Sequence, residues 1–532
     1  MRRALACALL VLLCAGCGDL DRGGPPELVM ARVKDAVNLD PSHATEGLSL
    51  NVSGEVMETL VQFKPGTFEV MPALATSWHT SADGLRWTFD LRPGARFSDG
   101  TPADAAAVKF NFDRWRLQRD PQHGPYTYAM WLSMFGGYSD DPKSPGVVRD
   151  VIVEGPTRVT FVLFSPSGTF LRNVAMTSFA IGSPAAIARD PRAFEEKPIG
   201  SGPYVVREWV RDDHITLDAN PTYNGPLGRP KIATVVLRDI PDQATSVLSI
   251  QKGEIDMLTD VRSDDAKLLA AEPSTTTIVR QPPNNVAYVA MNVEKKPFDD
   301  VRVRRAVAYA IDIPAIVKAL YGPGTVPGDN WTPPGMLGEN DAVHIYPHDV
   351  AMAKKLLAEA GFPHGFSTSL YLPTSPRPYM PDPERLAEAI QADLKAVGID
   401  VTLEPFEFGV FLSKVQNGEH PMCLIGWNGD NGDPDDFYYP LLDQDSAVKG
   451  SAQNYAFWRD PAFHRLMLAG QRSSNEAQRR AIYQQAAAMV HDQVPAIPLL
   501  HTPVPLALRT SVTGFVASPD TSYHFELIKG GT

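Results

Sequence analysis

The segment CLIGWNGDNGDPDDFYY, residues 423–439, places Asp430, Asp433, Asp435 and Asp436 just after Trp427, in a turn between apolar residues. Acidic side chains this dense can hold a divalent cation, work as a catalytic pair, or receive a cationic ligand. A helix–loop–helix calcium site needs oxygen ligands at alternate positions, glycine at the sixth and glutamate at the twelfth. Counted from Asp430, those positions hold Gly432 (third), Asp435 and Leu441, so the pattern fails. A catalytic pair needs an acid and a base facing across one bond. Asp430 and Asp433 are near in sequence, but aspartates also populate turns because they bond their own backbone. No HExxH, GxSxG or GxxxxGK[ST] pattern occurs, and GPGT at 322–325 is too short to cradle a phosphate. Cys423 lies in an apolar run with no histidine motif beside it apart from an unsupported His420, and reads as buried filler. Neither a catalytic residue nor a metal ligand is assigned, and no cofactor is expected.

A receptor for a cation remains. An aspartate in a cleft binds an ammonium group through a charge-assisted hydrogen bond, and Trp427 offers a flat apolar wall. If the same ligand carries a carboxylate, arginine suits it, because the planar guanidinium matches that group. Arg377, in TSPRPYMP, stands in a proline-rich loop between a strand and a helix. By spacing alone a surface arginine is the favoured reading.

These residues sit in a chain of 532 residues, 44% hydrophobic, too long for one ordinary core, so two or more lobes are expected. A formal net charge of −13 argues against nucleic acid and anionic membrane as partners. Arg2 and Arg3 precede the apolar run 4–16, which has the length of a signal peptide rather than of a membrane span. Ala15 and Gly16 before Cys17 resemble a bacterial lipobox, with Cys14 where leucine is commonest. The reading is a signal peptide over 1–16 and a lipid-anchored tether over 17–29, with lipid on Cys17. Cys423 is then the one internal cysteine, and no intramolecular disulfide is expected.

Along the body, SADG (81–84) is a turn, and Leu85, Trp87, Phe89 and Leu91 alternate with polar residues as a half-buried strand. Thr101 reads as a helix cap with Pro102 at the first helical position and Asp104 two residues on. Asp382 and Pro383 open a helix whose stripe is Leu386, Ile390, Leu394 and Val397, stopped by Gly398. VTLEPFEF (401–408) follows as a strand, 475–491 as a helix, and VPAIPLLH as a proline-broken strand. Strands and helices alternate in several blocks, which predicts an α/β protein of two lobes with a cleft.

The stretches RPYMPDPERLAEAIQADLKAVGI (377–399), NGEHPMCLIGWNGDNGDPDDF (417–437) and MVHDQVPAIPLLH (489–501) resemble the dipeptide-binding branch of the peptide/nickel solute receptors of ABC transporters, solute-binding family 5. WTFDLRPGARFSDGTPADAAAVKFNFDR (87–114), PIGSGPY (198–204) and NVEKKPFDDVRVRRAVAYAID (292–312) carry the wider family's pattern. The resemblance implies a type II periplasmic binding protein of cluster C. Its first lobe would be 30–285 plus 498–532, with an extra subdomain near 66–199, its second lobe 286–497, and two hinge crossings would join them. It implies that Asp430 pairs with a dipeptide's ammonium and Arg377 with its carboxylate. Trp427 would line the pocket, Phe408 would stand where the family has a second tryptophan, and Asn428 would replace a threonine. The family's cysteine pairs are missing. The implied protein is a periplasmic monomer that hands dipeptides to an inner-membrane ABC permease. The departures leave open longer or modified peptides, or another cargo such as aminolevulinate, haem or a nickel chelate. Direct nickel ligation is disfavoured by the scattered histidines. An enzyme or a structural lipoprotein stands further off.

Overall fold

A computed structural model describes residues 27–44, 46–259 and 261–530. The expected signal peptide and Cys17 lie outside the described residues. Two large sheets dominate. The first has seven strands in the order 276–281, 504–509, 257–258, 27–32, 234–239, 214–219, 204–210. The second has six, in the order 326–327, 496–501, 285–291, 422–428, 366–373, 399–406. Each has its own apolar core, so each is the body of a lobe.

The extra subdomain is a four-stranded antiparallel sheet, in the order 75–80, 86–91, 158–163, 148–153. Trp87, Phe89 and Leu91 are buried as their alternation predicts. They join an aromatic core with Phe112, Trp115, Trp131, Phe161 and Phe170, in which Phe112 and Phe161 meet edge to face at 4.6 Å. The helix over them begins later than the sequence suggests. Thr101 bonds Asp99 with both its N–H and its hydroxyl, and Asp104 caps Ala105–Arg116 by accepting from the N–H groups of Ala106 and Ala107. A carboxylate is the stronger acceptor for free helix N–H groups.

In the second lobe the strand Asn285–Met291 is buried along its whole length, between Met422–Asn428 and Ala496–His501. The helix Pro383–Ala396 is capped by Asp382 and buries Leu386, Ile390 and Leu394. It carries the chain from strand Phe366–Pro373 to the parallel strand Ile399–Phe406. That strand stops two residues short of Phe408, because the Glu407 carboxylate caps a new helix, Phe408–Gln416, through the N–H groups of Gly409 and Val410. Phe408 is therefore a helix-opening residue.

The chain passes between the sheets at 282–284 and again at 502–503. The second passage lies beyond the 497/498 boundary read from the sequence, because Ala496–His501 pairs wholly within the second sheet. Asn285 ties the two passages together. Its Nδ2 donates to the Thr502 carbonyl (2.8 Å) and its Oδ1 accepts from the Thr502 N–H (3.0 Å), all within buried structure. Among the described residues no helix is long and apolar enough to cross a membrane. Asn285→Ala strands both Thr502 groups without water, so thermal or urea unfolding should show a loss of about 2–4 kcal/mol. A variant as stable as the parent would mean the tie is not structural.

Candidate functional site

The site is built on strand Met422–Asn428 and the turn that follows it. Gly426 matters because a Cβ there would stand 2.4 Å from the Tyr379 ring. Its absence lets the turn Arg377–Met380 lie on the strand. That turn is closed by two backbone bonds, Arg377 N–H to Met380 O (3.0 Å) and Met380 N–H to Arg377 O (2.9 Å). Arg377 spreads its guanidinium over Phe408, with 3.3 Å from its central carbon to the ring centroid. Among the described residues no carboxylate pairs with Arg377, and its buried Nε has no hydrogen-bond partner. Stacking holds the fork in one plane while leaving its edge free.

Trp427 stands across from Val286, half-buried, and its buried Nε1 has no hydrogen-bond partner. Phe408 and Trp427 pack against the same apolar cluster. Asn428 is exposed at the strand end, opposite Asn285. The turn then anchors to the first passage between lobes. Gly429 N–H donates to the Asn284 carbonyl (2.7 Å), and Asn284 Nδ2 donates back to Gly429 O (2.6 Å). Sequence reasoning missed Asn284, whose only signal was its place beside a proline pair.

The four aspartates have four different environments. Asp433 is fully buried and takes a two-pronged bond from Arg479, at 2.6 and 2.7 Å, while Arg172 of the first lobe's subdomain reaches within 3.7 Å. Burial opposes its charge, but the two guanidinium groups outweigh burial and hold its carboxyl below the usual range. Asp435 accepts from Gln471 Nε2 and Tyr483 OH, both at 3.1 Å, and burial, with the nearby Asp433 charge, pushes it up to about 7. Asp436 accepts the Asp430 N–H (2.5 Å), and burial, then the charge of Asp430, raises it well above the carboxylate range. Asp430 is half-buried, and among the described residues no lysine, arginine or histidine pairs with its carboxylate. Burial raises it to about 6.

Three of the four carboxylates are thus bonded to protein groups, Asp433 to Arg479, Asp435 to Gln471 and Tyr483, and Asp436 to the Asp430 N–H, while Asp430 pairs with no cation among the described residues. The four do not converge as metal ligands. Among the described residues the group that does is Asp443, Asp445 and His464, where His464 Nδ1 already bonds Asp443 (3.0 Å). Cys423 is buried, which raises its thiol, and His420 is fully buried against the Tyr455 carbonyl and pushed down to about 4 by burial. Neither presents reactive chemistry.

The chain matches the family model of bacterial extracellular solute-binding proteins, family 5 middle, over residues 69–448. It is 34% identical to the dipeptide-binding protein of Escherichia coli (strain K12) over 503 residues, covering 92% of this chain and 91% of that one. It is also 34% identical to heme-binding protein A of Haemophilus influenzae over 509 residues, 92% of this chain and 90% of that one. The structure superposes with TM-score 0.76 on the periplasmic binding protein DppA of Helicobacter pylori in complex with the peptide STSA, at 30% identity, covering 95% of this chain and 98% of that one.

Arg479→Met leaves Asp433 charged, buried and short of its main partner. Removing one member of such a pair costs about 3–5 kcal/mol. Melting curves at neutral pH should show that loss, and the deficit should narrow as the pH falls and the unpaired, buried carboxyl takes up a proton. An undiminished deficit under acid would point instead to lost packing.

Proposed function

Because the chain belongs to the bacterial extracellular solute-binding proteins of family 5, we propose that it captures dipeptides between its lobes and delivers them to an ABC importer. The fold is that of a type II periplasmic binding protein. The observation that carries the reading is a pair of opposite charges, Asp430 and Arg377, each without a protein counter-ion among the described residues, in the turns that follow neighbouring strands of one sheet. A zwitterion supplies both missing partners. Its ammonium goes to Asp430 and its carboxylate to the open edge of Arg377, whose plane Phe408 sets. Trp427 supplies an apolar wall, and Asn428 a polar contact at the mouth.

Two fixed ends select length. One more residue adds roughly 3.3–3.6 Å to an extended peptide. A longer peptide must bulge or leave a buried charge unpaired, at about 2–5 kcal/mol. The STSA complex belongs to the Helicobacter pylori protein and marks longer peptides as the alternative to test here. Between the ends, water-bridged contacts tolerate many side chains. The cargo leaves unchanged, so no catalytic group is required. The finer parts of the reading are a monomer held at the periplasmic membrane face by lipid on Cys17, an inner-membrane permease as partner, and no cofactor or nucleic acid.

The test is thermal stability of residues 18–532 with Ala-Ala, Ala-Ala-Ala, N-acetyl-Ala-Ala and Ala-Ala amide at equal excess. Ligand that binds the folded form raises the melting temperature. Ala-Ala alone should give the full shift, and Arg377→Met should lose about 2–5 kcal/mol of affinity for Ala-Ala while binding the amide as the parent does. Shifts with both capped peptides as large as that with Ala-Ala, or a Soret band carried by the purified protein, would overturn the dipeptide reading.

Asp430 must be ionised to hold an ammonium group, and burial has raised its carboxyl to about 6 in the free protein. Affinity for Ala-Ala should therefore be level above that pH and fall by about tenfold per unit below it. Titration calorimetry across this range checks the slope. A flat profile down to the ordinary carboxylate range would remove Asp430 from the clamp.

A further inference from the structure

Beside the clamp, the two lobes meet along a polar seam that uses none of the clamp's side chains. The first lobe contributes Phe68 and the segment Ser167–Asn173, and the second contributes Asn431–Asp433, Gln471 and Ser473. Gly168 N–H donates to the Gln471 carbonyl (2.6 Å). Asn431 Nδ2 donates to Asn173 Oδ1 (2.7 Å), both side chains being buried. Asn173 is held for this by its own Nδ2, which donates to the Met134 carbonyl (3.0 Å), and Asn431 by its Oδ1, which accepts the Asp433 N–H (2.9 Å). Arg172 is steadied by the Phe68 carbonyl (2.7 Å) and brings its Nε to 3.7 Å from Asp433, a carboxylate already fixed by Arg479.

Two glycines allow this approach. A Cβ on Gly168 would stand 2.2 Å from the Ser473 carbonyl oxygen and 2.6 Å from Arg479 Nε. A Cβ on Gly432 would stand 2.1 Å from the Phe68 ring. In both cases the obstructing atoms belong to the opposite lobe, so the space is missing only when the lobes are together.

We propose that this seam is a closing clasp whose contribution to affinity is the same for every cargo, with Gly168, Arg172 and Asn173 as its positioning residues. The proposal rests on the two-lobed receptor reading and goes beyond its end clamp. Every contact in the seam is between protein groups, so weakening it lowers the closed fraction without reference to what lies in the cleft. The apparent dissociation constant of each ligand then rises by one common factor. Asp430 and Arg377 decide which ligands bind, and the clasp sets how tightly all of them do.

Gly168→Ala isolates the effect. The three atoms nearest to the added methyl all lie on the second lobe, and Gly168 does not need a left-handed backbone. Because the seam forms without cargo, the melting temperature of the cargo-free protein should fall only by what closure itself contributes. Calorimetry with Ala-Ala and Phe-Ala should show both dissociation constants raised by about tenfold, with their ratio unchanged. Arg172→Met should move both in the same direction by less. Small-angle scattering without cargo should give a larger radius of gyration for Gly168→Ala than for the parent. Unchanged affinities, or a change for one peptide and not the other, would overturn the clasp. If the parent binds neither dipeptide, the proposed cargo fails, and the radius of gyration alone decides the clasp: an increase supports it and equality overturns it.

Discussion

The buried pair between Asp433 and Arg479 is the constraint on which the site depends. Both side chains are almost wholly removed from water, and their two parallel bonds, at 2.6 and 2.7 Å, satisfy most of what each lost on burial. Such a pair adds little net stability compared with apolar packing, but it tolerates no displacement, because either charge alone in that place is costly. Arg479 comes from the helix Glu476–Gln493, so the pair fixes the acidic turn to a rigid element. From that fixed point the Asp433 oxygens order the N–H of Asp435, the Asn431 side chain orders the N–H of Asp433, and Asp436 orders the N–H of Asp430. The last member of this sequence, Asp430, is half-buried and pairs with no lysine, arginine or histidine among the described residues.

This division of labour explains why so acidic a turn can be buried. Four carboxylates in one turn would repel each other if all were charged. Here Asp433 is neutralised by arginine, Asp435 and Asp436 are driven toward the protonated state by burial and by their neighbours, and Asp430 sits near the edge of ionisation. Arg377 is prepared in a similar way on the other side, where Phe408 gives its face a partner and leaves its hydrogen-bonding edge without one. Preparing charged groups in position before the ligand arrives reduces the ordering that binding must impose.

Much of this was legible in the residues, and the failures have physical causes. The capped helix at 383 and the alternating strand at 86–91 were readable because one local pattern decided each of them. The cap at Asp104 was read one turn early, at Thr101, because either side chain could have served and the carboxylate prevailed, and the helix that Glu407 caps was read as the end of a strand. Asp430, Trp427 and Arg377 were visible as residue types in suggestive places. The partners of Asp433 were not, because Arg479 and Arg172 come from distant segments and only the fold brings them to one carboxylate. The role of Gly426 and Gly168 was equally hidden, since a close approach between two backbones leaves no mark in either segment alone.

On the proposed reading the second lobe holds both ends of the ligand, and this would order the events of capture. A zwitterion can satisfy Asp430 and Arg377 while the lobes are still apart, but in contact with water each pairing is weak. Closure removes that water and makes the same pairings stronger without moving them. The free energy for closure must then come from strengthened pairing and from whatever the first lobe touches. Because Asn173 and Arg172 meet the same acidic turn that carries Asp430, the act of closing also fixes the turn from its far side. On the proposed reading one selective group, Asp430, and two closing groups, Asn431 and Asp433, share the segment 430–433, while Arg377 and the Gly168–Gln471 bond lie outside it.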